Sequence, residues 1–153
     1  MTKPIHSERP GRPTTTVRVK RAYEHADGTD GYRVLIDRLW PRGLRKQDAR
    51  LDAWLRALAP SDELRRWFGH DPLRFPDFRV RYRRELRNPA ARELLDDLAR
   101  RAERERVTLI YSAKDTEHNN ALVLALEVAR RLRRASGAMQ TGRTNRPHAA
   151  RAG

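Results

Sequence analysis

From Val17 the chain alternates apolar and basic residues through Val17-Arg18-Val19-Lys20-Arg21, the two-residue period of a strand buried on one face. Glu24 to Gly31 carries two Asp/Gly turn signals and reads as a loop. Tyr32-Arg33-Val34-Leu35-Ile36-Asp37 has an unbroken apolar centre, as does Val107 to Tyr111, and both predict strands covered on two faces. Between them the period lengthens to that of helices. Leu51, Trp54, Leu55 and Leu58 fall at helical spacing before Pro60. Ser61 caps a short helix carrying Leu64, Trp67 and Phe68 and ended by Gly69. Phe75, Phe78, Tyr82 and Leu86 make the next stripe. Asn88-Pro89 is a cap with proline at the first helical position, opening a stripe of Ala91, Leu94, Leu95, Leu98 and Ala102. A last helix, from about Glu117 to Arg134, is apolar on more than one side and should be mostly buried.

This order predicts a small α/β domain: a three-stranded, mostly parallel sheet with helices over both faces of its two central strands. The helical crossover between Asp37 and Val107 suits parallel pairing, whereas the short loop between the first two strands favours antiparallel pairing there. Residues 1–14 and 135–153 lack an apolar stripe and are expected to be disordered basic tails, leaving 15–134 as one domain.

Composition narrows the choices. No apolar run is long enough for a membrane span, the N-terminus lacks a signal-like core, and a cytoplasmic address is the expectation. There is no cysteine, which removes disulfides, thiolate catalysis and cysteine-held zinc. The net charge of +14 invites a nucleic-acid reading, as non-specific binding by a general basic surface. Arg79, Arg81, Arg83, Arg84 and Arg87 spread around their helix rather than forming one row, which favours a solvated face.

The candidate chemistry gathers where the two strong strands end. Asp37-Arg38-Leu39-Trp40-Pro41-Arg42-Gly43 brings a carboxylate and two guanidinium groups to one strand edge; an Asp37–arginine pair stiffening the turn is the structural alternative. Ser112 to Asn120 follows the other strand and opens the last helix, whose N-terminal donors suit an anion, with Lys114 beside them and Asp115 or Thr116 as N-cap. Asn119 and Asn120 are poor helix formers whose local cost packing or function must offset. Arg38, Arg42, Ser112, Lys114 and Asn119 are the anion-binding candidates, and Asp37 and His118 the candidates for moving a proton. Ser112 with His118 has the composition of a nucleophile–base pair but lacks the glycine-flanked elbow. His118 has no clear second histidine for a metal, and His70-Asp71-Pro72 reads as a turn and cap. No Walker loop or dinucleotide fingerprint calls for a cofactor.

Three stretches together, Tyr32 to Gly43, Ala59 to Pro72 and Leu109 to Ala121, resemble the YeaO-like branch of the domain of unknown function numbered 488. The resemblance implies a small bacterial α/β domain with no assigned activity, and it spans roughly Val17 to Leu132. Another branch of that family carries Cys-His-Arg at the end of the same strand–loop–helix motif. Asn119, Asn120 and Ala121 stand there in this chain, and Tyr111 stands in place of an earlier cysteine, so thiol chemistry does not carry over. The expected function is recognition of a small anionic ligand such as a phosphorylated or nucleotide-like metabolite, with or without turnover. A nucleic-acid module is the alternative, and an interaction domain anchored by Trp40 and Trp67 a third.

Overall fold

A computed structural model describes residues 16–150, with side-chain surroundings given through residue 135. The expected tail at 1–14 lies outside the described residues. The expected tail from 135 has helical backbone as far as Ala150, its side chains lying outside the described set.

Four strands form one sheet: β1 (Val17–Arg21), β2 (Tyr32–Leu35), β3 (Ala53–Trp54) and β4 (Val107–Tyr111), in the order β1-β4-β2-β3. Every pairing is parallel; Val17 and Tyr32 both stand opposite Val107, on either side of β4. Two expectations are corrected here. The sheet has four strands rather than three, and β1 does not pair with β2 at all. The short connection after β1 needs no helix to return. Its ten residues, 22–31, reach about 33 Å when extended, against about 19 Å for the diagonal across one strand length and two strand spacings. The segment crosses the face of β4, where the Thr108 hydroxyl donates to the Asp30 carbonyl at 2.6 Å.

The stretch Leu51 to Leu58 is also corrected. Its helical spacing is coincidental: a single turn, α1 (Lys46–Ala49), precedes it, then β3, then a 3₁₀ turn at Arg56–Leu58. Asp52 anchors the strand by accepting from the Arg33 N–H at 2.8 Å, and its own N–H donates to the Arg33 carbonyl. Three helices fall where periodicity puts them, α2 (Asp62–Phe68), α3 (Phe75–Glu85) and α4 (Pro89–Ala102), whereas α5 (Asn120–Ala150) starts three residues later than expected and continues past Arg134. Ser61 and Asn88 accept from the Leu64 and Ala91 N–H groups, so both predicted caps form.

These long helices cover one face of the sheet, not both. Val34, Ile36, Val107, Leu109 and Tyr111 point into a core with Phe78, Tyr82, Leu95, Leu98, Leu124 and Val128. The opposite face carries Arg18, Lys20, Arg33, Leu35, Thr108 and Ile110 and is covered by loops and α1. It holds a small apolar cluster of Ala22, Leu35 and Ile110 under Trp40, Leu44, Leu51 and Trp54. Beside it lies Asp30, fully buried, with Arg18, Lys20 and Arg33 at 3.0, 3.0 and 2.6 Å. Arg33 is itself buried and spends its other donors on the Ala49 and Arg50 carbonyls.

Candidate functional site

Because β2 and β4 run side by side in the same direction, their C-terminal ends open together, the edge at which open α/β sheets hold ligands. A cavity of about 640 Å³ occupies that edge. Asp37, Arg38 and Arg42 reach it from the loop after β2, and Ser112, Lys114 and Asn119 from the loop after β4. The two loops were expected to share one concavity, and they do.

Asp37 is the clasp between them. One carboxylate oxygen accepts from the Ser112 N–H and hydroxyl, both at 2.9 Å, and the other accepts from the Asn120 amide at 3.0 Å. Its carbonyl takes the Trp54 indole N–H at 2.7 Å. The alternative of an Asp37–arginine pair is not what holds the turn; neutral donors do. Nor does Ser112 donate to His118. Replacing Asp37 by alanine leaves three donors without their acceptor, and an expected loss of about 2 kcal/mol follows, measurable as a lower urea midpoint with an unchanged slope.

The segment before α5 is a turn rather than the first turn of the helix. Asp115 accepts from the Glu117 and His118 N–H groups at 2.8 and 3.0 Å, while Asn119 accepts from the Leu122 N–H and so caps α5 itself. This explains the two asparagines at a helix start: one caps it and the other reaches back to Asp37. The Glu117 N–H first, then the His118 side chain and N–H, hold the Asp115 carboxyl below its usual range. His118 is turned away from the cavity lining, with Nδ1 at 2.9 Å from Asp115 and its ring edge-on to Phe75 at 5.3 Å. Beneath the site Tyr82 is fully buried and donates to the Leu58 carbonyl. Burial first, then the negative charges of Asp37 and Glu85, push its phenol well up, so it stays protonated.

Four cations line the cavity: Arg38, Arg42, Arg65 and Lys114. Arg38 and Arg65 share one carboxylate, Asp62, at 3.5 and 3.3 Å. The Arg38 Nε is buried and makes no hydrogen bond, standing 3.5 Å from Asp62. Neither the Lys114 ammonium nor the Arg42 guanidinium pairs with a carboxylate among the described residues. His70 also lines the wall, on a left-handed backbone of φ 58° that costs a non-glycine residue about 1 kcal/mol. Sequence reasoning reduced His70 to a turn, did not find Arg65, and singled out Asn120 only as a helix-start cost to be offset, without its bond to Asp37. For His70 the available signal was Gly69-His70 directly after a capped helix.

Three arginines of the basic helix α3 have partners within the fold. Arg81 lies over Trp67 at 4.0 Å, Arg79 over Phe75 at 5.9 Å, and Arg83 pairs with Glu127 at 2.7 Å. Trp67 is stacked by arginines, and Trp40 is half-buried with its N–H on the Leu44 carbonyl. No helix among the described residues is long and apolar enough to cross a membrane.

The sequence that builds this sheet and its clasped edge places the chain in the domain of unknown function numbered 488. Residues 16–148 match the family described as the inactive DUF488-N3 subclade, and the chain belongs to that family. It is 45% identical over 111 residues to the uncharacterised protein Rv3073c of Mycobacterium tuberculosis, covering 72% of this chain and 92% of that protein. To the uncharacterised protein YeaO of Escherichia coli it is 44% identical over 110 residues, covering 71% and 93%. No solved structure matches the chain.

Proposed function

We propose that the chain is a binding domain for a small anion, held at the joined ends of β2 and β4 without chemical turnover. The observation that carries this reading is the imbalance of charge in the cavity. Four cations line it; Arg38 and Arg65 share Asp62, Arg42 and Lys114 have no carboxylate partner among the described residues, and the two lining carboxylates, Asp37 and Asp115, are already occupied by N–H, O–H and imidazole donors. An oxyanion placed there gains two unpaired cations, Arg42 and Lys114, and charge-assisted bonds of this kind are the strong ones. The proton-moving roles expected of Asp37 and His118 find no support in the geometry. Asp37 is spent on structure and His118 stands off the lining. The family's own description as inactive points the same way.

Lys114→Ala is the direct test, since the ammonium is exposed and unpaired. Titration calorimetry with inorganic phosphate is expected to show at least tenfold weaker binding in the variant, with a melting temperature within about 2 °C of the parent. Binding by the parent should also weaken between low and physiological salt, because the rim is open to screening. Equal phosphate affinity in parent and variant would remove the reading.

A further inference from the structure

The cavity is charged at its rim but not across its floor. Trp40, Pro41, Ala59 and Pro60 pave it, with Phe68 and Phe78 beneath. Two of the five large apolar side chains that the described residues leave in the open, Leu39 (62% exposed) and Tyr23 (44% exposed), also stand on this wall. Tyr23 is held in place, its hydroxyl donating to the Arg42 carbonyl at 2.9 Å. A space of 640 Å³ lies within the range of about 300–1,000 Å³ typical of sites for sizeable organic ligands, and an inorganic oxyanion would leave most of it empty. The loop after β2 supplies both kinds of surface, with Arg38 and Arg42 bracketing Leu39, Trp40 and Pro41. A phosphate alone would use the brackets and ignore what lies between them.

We infer that the ligand is amphipathic: a flat apolar body of aryl type, lying against Leu39, Tyr23 and the Trp40–Pro41 floor, that carries one phosphate or carboxylate toward Arg38 and Lys114. This rests on the anion-binding reading and specifies the rest of the molecule. Covering Leu39 and Tyr23 removes exposed apolar surface from water, which the anion by itself cannot do.

The experiment is calorimetry on the full chain with four probes: inorganic phosphate, 1-naphthyl phosphate, 1-naphthoate and neutral 1-naphthol. The expected result is at least tenfold tighter binding of one naphthyl anion than of inorganic phosphate, which competes with it; whichever anion wins identifies the charged group. In Leu39→Ser, an exposed position that leaves folding intact, the advantage should shrink below threefold while phosphate binding is unchanged. If inorganic phosphate binds and neither naphthyl anion binds more tightly, or if the advantage survives in Leu39→Ser, the amphipathic ligand is wrong and the anion site stands. If 1-naphthol binds as tightly as 1-naphthyl phosphate, or if no anion binds, the anion site itself is wrong and this inference falls with it.

Discussion

Asp30→Ala is expected to destabilise the fold by about 3–5 kcal/mol, because it strands a buried cation. Arg33 is 4% exposed and cannot turn to water when its partner is removed, and Lys20 and Arg18 lose the same carboxylate. The change also removes the acceptor for the Asp27 N–H that closes the turn before β2. Asp30→Asn, which keeps the shape and loses the charge, should fall between the two. The same carboxylate sets an acid limit. Burial pushes the Asp30 pKa up, but Lys20, the Asp27 N–H and Arg33 together outweigh it and hold the group below its ordinary value. Its contribution is therefore complete above the unfolded carboxylate's value of about 3.9 and is lost as pH falls through the lower folded value. Urea unfolding at pH 6 and pH 3 should show a larger acid loss in the parent than in Asp30→Asn. A loss under 1 kcal/mol for Asp30→Ala would mean that Arg33 finds solvent after all.

Gly31→Ala is expected to cost about 3 kcal/mol or more. Gly31 sits at φ 68° and ψ −133°, a region essentially closed to side chains, and an added Cβ would lie 2.1 Å from the Arg106 carbonyl oxygen. That oxygen accepts the Tyr32 N–H at 2.8 Å, the first rung between β2 and β4, so the backbone cannot retreat without opening the ladder. A fall in melting temperature of roughly 10 °C is the expected readout. Gly28→Ala is the matched control, since its added Cβ meets nothing within 4 Å and the change should be nearly neutral. Equal effects at the two glycines would locate the strain elsewhere.

Periodicity made β1, β2, β4 and α2 to α5 legible, together with the caps at Ser61 and Asn88, because local chemistry decides each of them. It misread Leu51 to Leu58 because a two-residue strand has no period and four apolar side chains there serve two different faces of the sheet. The partner of β1 was out of reach for a different reason: pairing Val17 with Val107 leaves no mark on either segment. The Asp30 cluster was partly written in the chain. Arg18, Lys20 and Arg33 all fall on the strand positions opposite the apolar ones, and a carboxylate in the intervening loop is the group that can satisfy three such cations. At the candidate site the strand ends and their cations could be foreseen. That His70 and not His118 lines the cavity could not, since it depends on α5 starting three residues later than its pattern suggests and on the backbone turn at Gly69.

The strand that holds this sheet together is the last one to be synthesised. β4 lies between β1 and β2, so neither has its principal neighbour until residue 107 and beyond have left the ribosome. A nascent chain that ends after α4 has only the two-residue contact of β2 with β3, and its apolar strand Val34-Leu35-Ile36 has no ladder to join. Contacts of such sequence separation form slowly and expose strand edges while they wait. The sheet can close only once β4 is available to lie between β1 and β2, and a chain cut short before β4 is expected to aggregate rather than fold in part.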